Sequence, residues 1–200
     1  TEMQCRLLLA RGQFDDALAI LEAPRIIDES SLMNIEQQLV FNQLRAQVLA
    51  RLGKHLASAQ QRIYSDPLLA PEQQRSNRQA LWQSLMLTPS EAIEQYLPTA
   101  FSRDYQGWLA LALIAKKSDG DLNKQVAKLD QWQLDWANNP ANSSLPEDLV
   151  LIRELANNQP QHIALMLPMS GPLAAYGHSI RDGFMAVSYT HLTLPTKPSG

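Results

Sequence analysis

Residues 162–184 read HIALMLPMSGPLAAYGHSIRDGF and combine three local signals. The apolar run at 163–167 has no polar alternation, which is typical of a strand buried on both faces of a parallel sheet. Turn-forming residues follow at 170–172, and apolar residues then recur at helical spacing as far as Phe184. The stretch therefore predicts the first βα unit of an α/β domain.

The chain on the amino-terminal side of this stretch has helical periodicity. It predicts helices at 3–11, 14–21, 35–52, 55–64, 72–86, 90–97, 105–117, 122–137 and 147–156, with a polar connector at 138–146. We expect a helical domain at 1–157, a linker at 158–161 and the start of a second domain at 162–186. A parallel strand needs partner strands, and fewer than 20 residues follow Phe184 to supply them. We therefore expect the chain to stop where that second domain begins.

Two glycines indicate that the helical region is built from repeated hairpins. Gly12 and Gly53 each separate two predicted helices, and they lie about 41 residues apart. Helical-pair solenoids repeat every 34 to 47 residues or so, and a single hairpin cannot bury its apolar face alone. The sequence therefore predicts a stack of hairpins of the tetratricopeptide-like kind. The fold class is mainly α, followed by the beginning of an α/β domain.

Composition excludes several classes of protein. Hydrophobic residues make up 45% and charged residues 18% of the chain, as in globular domains. A net charge of -3 provides no basic surface for nucleic acid, so we expect no such partner. Cys5 is the only cysteine, is predicted to be a core residue, and lacks the residues that precede a lipidated cysteine. We expect no lipidation site in this fragment and a missing upstream segment.

No catalytic or metal-binding pattern emerges. The histidines lack ligands at metal-site spacing, and neighbouring charged pairs such as Arg181 and Asp182 are typical of solvated helix faces. We therefore predict no catalytic residues, no metal and no cofactor. The four tryptophans are predicted to be core residues rather than a ligand platform. They are Trp82, Trp108, Trp132 and Trp136.

The turn at 168–177 is the best candidate for ligand contact. Ligands of open α/β sheets bind beyond the carboxyl ends of the strands, which is where this turn is predicted to lie. Its candidate ligand-binding residues are Ser170, Gly171 and Tyr176. Since every βα unit has such a turn, the turn alone does not establish a site.

Several strings, taken together, resemble one family. They are DPLL at 66–69, WQSL at 82–85, GWL at 107–109, NNP at 138–140, IALMLPMSGP at 163–172 and IRDGF at 180–184. In combination they resemble the LpoA family of penicillin-binding protein activators. The strand-turn-helix part alone would indicate only the fold of type I periplasmic binding proteins.

The resemblance implies an outer-membrane lipoprotein on the periplasmic side, anchored through a lipid upstream of this fragment. It implies a helical tetratricopeptide-like part and a carboxy-terminal part resembling type I solute-binding receptors. The implied activity is non-enzymatic: binding a class A penicillin-binding protein and stimulating its transpeptidase activity in peptidoglycan synthesis. The alternative is a periplasmic small-ligand receptor of the solute-binding class. A hydrolase built on the helices has no supporting acid/base pair.

The carboxy-terminal residues depart from the family pattern. From Val187 the sequence reads VSYTHLTLPT, which is poor helix-forming material, so we expect the helix to end near Ala186. The string resembles the translation of a transposon-end sequencing adapter. We therefore expect residues 187–200 to be a non-native tail, poorly ordered in the protein.

Overall fold

All regular secondary structure among the described residues is helical. The computed structural model describes residues 2–30, 32–117, 120–158 and 165–192, and it has no strand within those ranges. The chain divides into two compact units, Thr1–Asn158 and Gln159–Gly200. The helices of the first unit are α1 (Glu2–Ala10), α2 (Phe14–Leu21), α3 (Pro24–Ser30), α4 (Ile35–Arg51), α5 (His55–Ser65), α6 (Pro71–Leu87), α7 (Ser90–Tyr96), α8 (Arg103–Lys116), α9 (Leu122–Asp135), α10 (Pro140–Ser143) and α11 (Glu147–Asn157). The second unit contains α12 (Ala174–Leu192).

The glycine hairpins are confirmed, and their backbone explains why glycine is needed. Gly12 and Gly53 both have a φ of 74°, in the left-handed region that disfavours a Cβ atom. After α1, the amide of Gln13 donates to the carbonyl of Leu8 at 2.9 Å. After α4, the amide of Lys54 donates to the carbonyl of Leu49 at the same distance of 2.9 Å. Both glycines therefore end a helix in a Schellman motif.

The predicted helices correspond to α1, α2, α4 to α9 and α11, but α3 and α10 are not predicted by the sequence analysis. Both begin at a proline. The first helical position suits proline because its missing N–H would have no partner within the helix there. Pro140 was expected to lie in an irregular connector; instead it opens α10, whose first turn is capped by the side chain of Asn139.

Successive helices pack against one another through the first unit and bury two hydrophobic clusters. Contacts join α1 to α2, α2 to α4, α4 to α5, α5 to α6, α6 to α8, α8 to α9 and α9 to α11. The smaller cluster surrounds Cys5, which is fully buried as predicted, and the larger one surrounds Trp108. Trp82 and Trp132 are also buried as predicted, while Trp136 is partly buried at the edge of the cluster.

The described part of the second unit, residues 165–192, differs from the sequence prediction before α12 and at the end of α12. Residues 165–169 have no regular secondary structure, and the first residues of the predicted strand, 163–164, lie outside the described residues. A parallel strand is held by hydrogen bonds to neighbouring strands, and the described residues offer it no such neighbour.

The expected helix end near Ala186 is wrong, because α12 continues to Leu192. Valine, serine, tyrosine and threonine each lower helix stability by no more than about 0.7 kcal/mol relative to alanine. An existing helix extends through such residues more readily than it starts at them. The search for membrane-spanning segments found no helix of sufficient length and apolar character among the described residues.

Candidate functional site

The turn before α12 has a defined backbone but a solvent-facing surface. Gly171 has a φ of 80°, and its carbonyl accepts the amide N–H of Ala174 at 3.1 Å, which starts the helix. Ser170 is exposed, and Tyr176 is 70% exposed. Within the described residues neither side chain has a hydrogen-bond partner. The structure therefore does not gather Ser170, Gly171 and Tyr176 around a common cavity, and a ligand site there stays a prediction.

Gly177 has a structural role in this turn that sequence reasoning missed. It is buried on the first turns of α12, and a Cβ atom placed on it would collide with the carbonyl oxygen of Pro168. The absence of a side chain lets the incoming chain cross the helix at close range. Gly177 thus fixes the path of the turn that carries the predicted ligand residues.

The first unit contains buried polar groups that join helices. Asp66 is 5% exposed; its Oδ2 accepts from Arg78 Nε at 2.8 Å and its Oδ1 accepts from Asn77 Nδ2 at 3.0 Å. The same Asn77 nitrogen donates to the backbone carbonyl of Arg62 at 3.0 Å. A buried carboxylate is stable only when paired and hydrogen-bonded, as this one is. The cluster locks the end of α5 to α6.

A second polar cluster holds α8 against α9 and α10. Trp132 Nε1 donates to the carbonyl of Gly107 at 2.9 Å, and Asn139 Nδ2 donates to the carbonyl of Asp104 at 2.8 Å. Arg103 lies over the ring of Trp136, with its Cζ 5.0 Å from the centroid. Trp132 is therefore a hydrogen-bonded core residue, as predicted, whereas Trp136, the C-cap of α9, packs at the edge of the core.

A groove of about 520 Å³ lies beside α6, between Pro71 and the segment that leads into α11. Trp82 forms part of its wall, and its indole N–H donates to both carboxylate oxygens of Asp148 at 3.0 and 2.9 Å. Arg75 and Glu147 add charges of opposite sign to the lining. The lining of this groove therefore combines aromatic side chains with charges of both signs.

Burial shifts the pKa of two ionisable side chains in the helical core of the first unit. Burial raises the pKa of the Tyr105 phenol, whose hydroxyl donates to the carbonyl of Leu56 at 2.8 Å. Burial also raises the pKa of the Cys5 thiol, which keeps it in the unreactive protonated form. No group of metal-ligating side chains occurs among the residues described by the structure. The buried, hydrogen-bonded side chains described above help to hold the helices of the first unit rigidly together, as a binding surface requires.

The polar clusters could not be found from sequence spacing. Asp66 and Arg78 belong to different elements, and the indole of Trp82 meets a carboxylate 66 positions away along the chain. The only local signal for the first cluster is the Asp-Pro pair that opens a turn after α5. Nothing in the surrounding sequence marks Asp148 as the acceptor for a tryptophan.

Known proteins resemble the chain in both sequence and fold. An activator of penicillin-binding protein named LpoA from Photobacterium profundum is 29% identical over 142 residues, which cover 71% of this chain and 23% of that protein. The LpoA of Escherichia coli K12 is 32% identical over 124 residues, covering 62% of this chain and 18% of that one. The chain thus spans about a fifth of the length of these curated relatives.

Solved structures share the fold at lower sequence identity. LpoA of Haemophilus influenzae in a monoclinic crystal form superposes with a TM-score of 0.73 at 19% identity, covering 95% of this chain and 34% of that chain. The amino-terminal domain of E. coli LpoA superposes with a TM-score of 0.62 at 22% identity, covering 82% and 67% respectively. The mainly helical fold predicted from the sequence is confirmed by this likeness.

A family match covers nearly the whole sequence. The family is described as "LppC putative lipoprotein", and it matches residues 1–195. The resemblance to the penicillin-binding protein activators, first noted from short strings, is confirmed by these relatives. The chain belongs to the LppC lipoprotein family.

Proposed function

We propose that the chain is part of a non-enzymatic regulator of peptidoglycan synthesis that binds and activates a class A penicillin-binding protein. The observation that carries the proposal is the family match over residues 1–195, together with relatives whose printed name is penicillin-binding protein activator. Those names favour an activator over a small-ligand receptor. The regulator acts from the periplasmic side of the outer membrane, through a lipid anchor upstream of this fragment.

The proposed mechanism is a shift in the conformational population of the synthase. An activator raises the fraction of active synthase only as far as it binds the active conformation more tightly than the inactive one. Such an effect needs a rigid binding surface and no reactive group in the activator. The buried clusters around Asp66 and Gly107 support this idea, since they tie neighbouring helices together without forming a reactive centre.

The two parts of the chain have different roles in this proposal. Residues 1–157 form a tetratricopeptide-like stack that spans distance from the outer membrane, and the packing of successive helices against one another supports that role. Residues 158–161 are a linker, and residues 162–186 begin a domain of the type I periplasmic-binding-protein class, which carries most of the contact with the synthase.

A reconstituted cross-linking assay tests the proposed function. A purified class A penicillin-binding protein is incubated with its lipid-linked substrate, with and without the full-length relative that contains this chain. The expected result is a larger fraction of cross-linked muropeptides in the presence of the activator. Equal cross-linking in both reactions, at activator concentrations that saturate binding in a pull-down, would refute the proposal.

The origin of residues 187–200 needs a direct test. The family match extends past Ala186, while the string that begins at Val187 resembles an adapter translation. We propose that this tail is not native. Sequencing the source locus across codon 186 is expected to show a different continuation, and an uninterrupted frame that encodes VSYTHLTLPT would overturn the proposal.

A further inference from the structure

A second groove in the first unit has a cationic lining with no opposite charge. It has a volume of about 620 Å³ and lies where the end of α4 and the helices α5 and α6 face one another. Arg51 and Arg62 line it, and His55, Gln47 and Gln83 supply further polar groups. No aspartate or glutamate belongs to the described lining. The groove is therefore positively charged in an acidic protein with a net charge of -3.

Arg62 lies half-buried in this groove without a counter-ion. Its Nε is buried and has no hydrogen-bond partner, and the structure gives its guanidinium no ion pair among the described residues. Burial lowers the pKa of this guanidinium, which reflects the loss of water around a charge. The nearby His55 also has a buried Nδ1 without a partner. Buried donors without acceptors are rare in native proteins, and they are expected where a ligand supplies the acceptor.

A neighbouring arginine, Arg78, has the carboxylate partner that Arg62 lacks. Arg78, on α6, donates from Nε to the carboxylate of Asp66 at 2.8 Å. Arg62 contributes only its backbone carbonyl to that cluster, as the acceptor for Asn77. The side chain of Arg78 is thus paired with a carboxylate of the chain itself, whereas the side chain of Arg62 is not.

We propose that this groove binds a carboxylate-bearing peptide, with Arg62 as the residue that anchors the carboxylate. A guanidinium has a planar pair of donors that matches a carboxylate, and the contact strengthens where water is excluded. The side-chain amides of Gln47 and Gln83 both donate and accept hydrogen bonds, which suits the N–H and C=O groups of a peptide backbone. The volume lies within the roughly 300 to 1,000 Å³ typical of ligand sites. The proposal does not depend on the identity of the synthase partner.

Fluorescence anisotropy with two matched probes tests the proposal on the complete 200-residue chain. The probes are triglutamate and triglutamine peptides that carry the same fluorescein label and an amidated carboxy terminus, so that they differ in their side-chain carboxylates alone. Triglutamate is expected to bind at low salt and to bind more tightly than triglutamine. Arg62→Met, which keeps an unbranched apolar stem but removes the guanidinium, is expected to weaken triglutamate binding by about tenfold to a hundredfold, the range for a charged hydrogen bond.

Arg6→Met is the control for the loss of one positive charge. Arg6 lies on the exposed face of α1, where its Nε pairs with Glu2 at 2.9 Å, and it does not line the groove. This variant is expected to bind triglutamate within about twofold of the parent protein, because an exposed charge contributes little to a separate site. Thermal unfolding checks that Arg62→Met is folded, and Arg51→Gln provides a second groove variant if it is not.

Several outcomes would overturn the proposal. These are equal affinity for triglutamate and triglutamine, equal weakening by Arg62→Met and Arg6→Met, or unchanged binding in both groove variants. Citrate, which has carboxylates but no peptide backbone, is the second arm of the test. Citrate that binds as tightly as triglutamate would overturn the assignment to a peptide.

Discussion

A Gly107→Ala substitution should destabilise the protein, although helix propensity alone predicts the opposite. Gly107 lies inside α8, where replacing glycine by alanine usually gains about 0.5 to 1 kcal/mol. In the folded protein a Cβ atom at this position would overlap Asn139 Nδ2, and it would lie 2.9 Å from Trp136 Cε3. The tertiary contact therefore opposes the local preference.

The magnitude follows from the groups that must move. Overpacking a well-packed core costs about 1 to 3 kcal/mol. Asn139 is 5% exposed; it donates to the carbonyl of Asp104 at 2.8 Å and accepts from the amide of Ala141 at 3.0 Å. A shift of this side chain would weaken both bonds, each of which contributes about 1 kcal/mol. After the gain in propensity is subtracted, we expect a net loss of about 2 kcal/mol in the free energy of unfolding.

Thermal unfolding followed by circular dichroism measures the effect. For a chain of this size, a loss of about 2 kcal/mol lowers the Tm by about 4 to 8 °C. Gly183→Ala is the matched control, because Gly183 is a helical glycine in α12 with no atom near the position of its Cβ. The control should unfold no earlier than the parent protein. A Gly107→Ala variant with an unchanged or higher Tm would refute the packing argument.

Two further substitutions test single contacts. Asp148→Ala removes the acceptor of the Trp82 indole N–H. Its control is Glu147→Ala, which removes the other acid in the first turn of α11. In urea titrations Asp148→Ala should lower the free energy of unfolding by about 1.5 kcal/mol more than the control does. Equal losses would contradict the contact. Asp121 caps α9, and a hydrogen bond from the backbone N–H of the third residue of that helix lowers the pKa of its carboxyl below 3.8. The contribution of the Asp121 carboxylate to stability is therefore full above pH 3.8 and is lost as the pH falls through the lowered pKa of the folded state. The difference in Tm between the parent protein and Asp121→Ala should therefore shrink in acid. The Tm difference of Ser102→Ala, a neutral cap of α8, should not change with pH; parallel behaviour of the two variants would count against the assignment.

The helices of the first unit were predictable because their signals are local. Apolar periodicity located most of them, and glycine ended α1 and α4 where the left-handed backbone excludes other residues. Proline was less informative, since Pro140 is typical of a helix stop but instead opens α10, after α9 has already ended at Asp135. The same residue type serves both purposes, and the cap supplied by Asn139 decides between them.

The second unit shows where local reasoning fails. The apolar run at 163–167 has the composition of a buried strand, but its described residues, 165–167, form none, since a strand needs neighbours that satisfy its backbone. The end of α12 differs from the prediction for another reason: residues of low helix propensity after Ala186 do not by themselves end a helix that has already formed. The prediction of Ser170, Gly171 and Tyr176 as ligand-binding residues depends on a turn at the carboxyl end of a strand, and their role in binding stays a prediction.

The sequence by itself determined the helical class, the hairpin turns, the acidic net charge and the family to which the chain belongs. Each depends on composition or on residues within about one helical turn of each other. Only the tertiary structure decided which polar groups meet. Asp148 is paired with Trp82, Asn139 lies against Gly107, and the guanidinium of Arg62 is left without a carboxylate in its groove. Such pairings depend on how helices far apart in the chain pack, which no local pattern encodes.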